Sequence, residues 1–96
     1  MDNREQDEQI GRIYRHKTDH RKRLAFIDSE LANFVNLFRK AASQLEALLA
    51  KEHSELNSVL SQIDVDHILR LIAEREQLHR KISDANDQLR KLGVPV

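Results

Sequence analysis

Apolar residues recur along this chain in alternating steps of three and four, twice over and with hardly a break. The first series reads Ile10, Ile13, Lys17, His20, Leu24, Ile27, Leu31, Phe34, Phe38, Ala41, Leu45, Leu48, Glu52, Glu55 and Val59, and eleven of these fifteen are apolar. The second reads Ile68, Leu71, Arg75, Leu78, Ile82, Ala85, Leu89 and Leu92, with Arg75 its one polar member. Such spacing is the seam of a helix lying at a shallow angle against another helix. Between Gly11 and Gly93 there is no other glycine and no proline, so little in the backbone opposes a helix over that span.

These series predict an all-α chain: an antiparallel coiled-coil helical hairpin with a long helix over about 4–62 and a second helix over about 65–92. Asp64 or Asp66 supplies the cap that starts the second helix, since a short carboxylate accepts hydrogen bonds from the first free backbone N–H groups. At the far end Gly93 stands where a left-handed residue closes a helix, Pro95 follows, and Leu89 and Val94 are spaced for the closing contact. With 96 residues and no cysteine, one helical domain over 1–96 is expected, with residues 1–9 as an acidic frayed start and 93–96 as a tail.

If the chain reverses at 64–66, facing seam residues have numbers adding to 130: Ile82 meets Leu48, Ala85 meets Leu45, and Leu89 meets Ala41. Arg75 then falls opposite Glu55, and this register pair is what favours that alignment over one shifted by whole heptads. Everything before about residue 34 is left without an intramolecular partner on this register. Yet Leu24, Ile27, Leu31, Phe34 and Phe38 keep their seam spacing, so this ridge is expected to bind a second chain, as a two-fold homodimer forming a four-helix bundle. The breadth of the stripe points the same way, because Val35, Leu37, Ala42, Leu49, Leu56, Leu60 and Ile63 flank the first seam and Leu69 and Ile72 the second. The alternative is a break near Ile27-Asp28-Ser29-Glu30 that folds the first segment back as a three-helix bundle.

Lysine plus arginine balance aspartate plus glutamate at sixteen each, but the charges are segregated. Residues 11–23 carry Arg12, Arg15, Lys17, Arg21, Lys22 and Arg23 against Asp19 alone. A basic helical stretch of this kind can meet an acidic protein surface or neutralise phosphates. A protein partner is favoured, because aromatic interleaving, a glycine-turned helix-turn-helix and an overall basic excess are all missing. His16 and His20, four apart, could share a divalent ion, but a third ligand would have to come from another chain, so no metal and no cofactor is expected. The serines have no adjacent base and the carboxylates no desolvated pocket, which argues against an enzyme. The longest apolar run is Leu24-Ala25-Phe26-Ile27, far short of the ~20 residues a membrane span needs, and the polar start lacks a secretory h-region. The expectation is a cytoplasmic interaction module, an adaptor, assembly element or small regulator of a larger protein. A nucleic-acid-binding dimer that uses the basic segment 12–23 is the alternative.

Overall fold

The computed structural model describes residues 3–96 as a helical hairpin: α1 (Asn3–Leu49), a five-residue α2 (Leu56–Leu60) and α3 (Val65–Lys91). The long helix begins at Asn3, so residues 3–9 are helical; Met1 and Asp2 lie outside the described residues. It runs without interruption through Asp28, Ser29 and Glu30, which removes the break on which a three-helix bundle depends.

The ends of α3 follow from their residues. The Asp64 carboxylate accepts the His67 backbone N–H at 3.0 Å, the expected N-cap. Gly93, with φ +80°, donates to the Arg90 carbonyl, and Val94 donates to the Leu89 carbonyl, both at 2.9 Å. This pair of bonds is the Schellman closure, and Val94 packs onto the core beside Leu89.

The end of α1 differs from expectation. It stops at Leu49, thirteen residues before 62. The same Schellman pattern closes it, with Lys51 donating to the Leu48 carbonyl at 3.1 Å and Glu52 to the Ala47 carbonyl at 2.9 Å. Here the left-handed position is filled by a lysine, Lys51 at φ 59°, at a cost of about 1 kcal/mol that glycine would avoid. The connector that follows is tied down by Gln44. Its backbone carbonyl accepts the Ser54 hydroxyl and its side-chain oxygen accepts the Glu55 N–H, both at 2.8 Å. Val59 of α2 is buried almost completely.

Packing divides into two compact units. In one, the chain up to Phe26 is joined by Ala73–Val96. Its core is Ile13, Ala85 and Leu89, with Ile10, Leu92 and Val94 packed around them. The antiparallel sense is fixed at both ends, where the Gln6 amide donates to the Leu92 carbonyl and Arg23 bonds Glu74. The residues bonded across this unit, Gln6 with Leu92 and Arg23 with Glu74, have numbers adding to 98 and 97, not 130. The alignment has moved, but the seam residues Ile10, Ile13, Ala85, Leu89 and Leu92 still pack together.

The other unit, Ile27–Ile72, holds the end of α1, the connector, α2 and the start of α3. Ile27 is 0 % exposed, and Ala41, Val59 and Leu71 are also buried. Phe34 meets the His67 ring edge-on, centroids 6.0 Å apart. Glu55 has left the long helix and stands just before α2, so the register role assigned to it with Arg75 has no long-helix seam on which to act.

Candidate functional site

The basic segment does not present six cations on one surface. Arg12, Arg15, Arg21 and Lys22 are exposed. Lys17, at a seam position, turns inward and is 6 % exposed. Its ammonium lies 5.9 Å from the Tyr14 ring centroid, and burial, followed by the nearby charges of Arg21 and Arg90, lowers its pKa. Arg23 donates to both Glu74 carboxylate oxygens, at 2.8 and 3.1 Å, and its guanidinium lies 5.0 Å from the Phe26 ring centroid. That hydrogen bond is the main reason the Glu74 carboxyl is held below its ordinary range. Two of the six cations are therefore taken up within the hairpin.

His16 and His20 line a shallow groove of about 280 Å³ with Ile13, Lys81, Asp84, Ala85 and Gln88. Among the described residues no three His, Cys, Asp or Glu side chains gather as a metal-binding group.

The ridge divides. Leu24, Leu31 and Phe34 are half-buried and Ile27 is fully buried, each inside its own unit of the hairpin, whereas Phe38 is 51 % exposed. The expected reason for a second chain, an uncovered stripe before residue 34, is thus absent. The change occurs at Phe34. Up to that point the covered positions of α1 follow the 3-4 series, but beyond it they fall at Leu37, Ala41 and Gln44. Two successive steps of three, from Leu31 to Phe34 to Leu37, rotate the inward face by one residue. A strict 3.5-residue repeat must drift on a 3.6-residue helix unless the coil supertwists or the pattern slips, and here it slips.

The slip carries Phe38, Leu45 and Leu48 of the first series outside, while Ala41 stays covered. Val35, Phe38, Ala42, Leu45 and Leu49 form an exposed stripe with its own unbroken 3-4 spacing, and Leu49 is the most open at 77 %. Leu48, beside it, is also exposed. The start of α3 shows a shorter set, Val65, Leu69 and Ile72. No charge interrupts the α1 stripe. Sequence reasoning already carried the signal, since Val35, Ala42 and Leu49 stood out as flanking residues. What it missed is that these join Phe38 and Leu45 in a second seam. No helix of the described residues is long and apolar enough to cross a membrane. Comparison with protein-family models, curated proteins and solved structures finds no match in any of the three.

Proposed function

We propose that this chain is a non-enzymatic protein-protein interaction module, an adaptor, assembly element or small regulator, and that it docks through the stripe Val35, Phe38, Ala42, Leu45 and Leu49. The carrying observation is the half or greater exposure of Phe38, Leu48 and Leu49 on a helix whose opposite face is already packed. Isolated surface leucines need no explanation, but a row at 3-4 spacing is a helix-docking surface. A partner helix laid on it at a shallow angle would remove these side chains from water at roughly 25 cal/mol per Å² of apolar area.

The stripe takes over the role given at first to the basic segment and to the ridge before residue 34. Phosphate binding is the weaker reading, because Lys17 is packed inward and Arg23, though exposed, is held by Glu74, leaving four other exposed cations in 12–23.

Site-specific photocrosslinking in cells tests the docking face. A photoreactive residue at Leu45 is expected to yield a defined protein adduct, identified by mass spectrometry and abolished by Phe38→Asp, while the same probe at Arg15 yields none. Adducts from position 15 with none from position 45 would overturn the assignment.

A further inference from the structure

Resting on that docking face, we propose that its occupant is a second copy of this chain, with the two α1 stripes antiparallel and the register set by Arg39 and Glu46. Both residues are exposed and flank the stripe on the same side, each one position after a stripe residue, Phe38 and Leu45. They are seven apart, so they cannot reach each other along one helix. The positions three and four away from Arg39 are Val35, Asn36, Ala42 and Ser43, and those from Glu46 are Ala42, Ser43, Leu49 and Ala50. No opposite charge stands at any of them. This is a pair of complementary charges set one heptad apart beside an apolar seam, without local use.

A two-fold axis passing midway between Ala42 and Leu45 uses both charges at once. When facing stripe residues have numbers adding to 87, Phe38 packs against the partner's Leu49 and Ala42 against the partner's Leu45, and the same contacts recur by symmetry. The flanking positions then bring Arg39 to Glu46 of the partner subunit, twice. Shifting by a heptad in one direction sets Arg39 against its own symmetry mate; shifting in the other does the same to Glu46. Both opposed pairs are repulsive. A parallel pairing brings these positions opposite Phe34, Ala41 and Leu48, which carry no charge. Charge complementarity therefore selects one orientation and one register, as flanking charges do in coiled coils generally. The shared seam, from residue 38 to 49, is about 17 Å long at 1.5 Å per residue.

The test is the association constant of the purified full chain, from sedimentation equilibrium or concentration-dependent light scattering at low salt. Wild type is expected to dimerise. Arg39→Glu alone and Glu46→Arg alone each turn two attractive pairs into two repulsive ones and should weaken association about tenfold or more. The double variant Arg39→Glu with Glu46→Arg restores both pairs and should recover the wild-type constant. Since both side chains are exposed, circular dichroism should show all four proteins equally helical. A wild-type chain that stays monomeric at every concentration overturns the proposal, as does a dimer indifferent to the single reversals or not rescued by the double one. A monomer that nevertheless gives a foreign adduct from Leu45 would overturn the second copy while leaving the docking face standing. A monomer with no such adduct would overturn both.

Discussion

Replacing Ile27 by alanine is the sharpest check of the register. Ile27 is fully buried in the unit Ile27–Ile72, whereas Phe38, eleven residues on and a member of the same ridge, keeps half its surface in water. Ile27→Ala removes three carbons, about 2.4 kcal/mol at ~0.8 kcal/mol per buried methylene, before any cavity is counted. A core this thin can partly collapse, so the cavity contribution stays small and the total loss is about 3 kcal/mol. Phe38→Ala gives up half-exposed contacts and gains helix propensity, so it should cost under about 1 kcal/mol. Urea unfolding followed by far-ultraviolet circular dichroism, at protein concentrations where the chain is monomeric, reads both values. For a chain of this size the Ile27 variant should also melt roughly 12–24 °C lower. The opposite order, a nearly neutral Ile27→Ala and a Phe38→Ala costing more than about 2 kcal/mol, would refute the structure's register and restore the alignment in which Phe38 faces the second helix.

Three further outcomes follow from local geometry. Lys51→Gly relieves the left-handed strain at the end of α1 and should stabilise by up to about 1 kcal/mol, while the β-branched Lys51→Val should destabilise; equal unfolding midpoints for the two would refute the left-handed assignment. Lys17→Met exchanges a buried cation near Arg21 and Arg90 for an apolar chain and should raise the melting temperature. Because the folded Lys17 pKa is depressed, wild type gains stability as pH rises through the folded value toward the ordinary 10.5, so this advantage should shrink in alkali. The folded Glu74 pKa is also depressed, so its pairing with Arg23 stabilises above the ordinary value near 4.5 and is lost as pH falls through the folded value. Glu74→Gln should accordingly melt below wild type at neutral pH and converge with it in acid; parallel curves would show that the pair does not contribute.

Much of the fold was legible from residues alone because helix formation and capping act over short distances. The 3-4 series, the lack of helix breakers, Asp64 as the start of α3 and Gly93 with Val94 as its closure all concern groups within a few positions of one another. The end of α1 was not legible, because its closing residue is a lysine where the pattern calls for glycine, and only Gln44 reaching the connector shows why the chain turns there. Tertiary packing also decided the register. A seam repeating every seven residues maps onto itself when shifted by any number of heptads, so its spacing cannot by itself choose among such alignments. What separates them is the apolar bulk brought together. The observed alignment draws on Ile10, Ile13, Leu24, Ile27, Leu31 and Phe34 with Lys17 and His20 among them, the other on Phe38, Leu45, Leu48, Val59 and the small Ala41 with Glu52 and Glu55 among them. Burial favours the richer stretch, and the poorer one is left to turn at Lys51 and to show its second stripe to solvent.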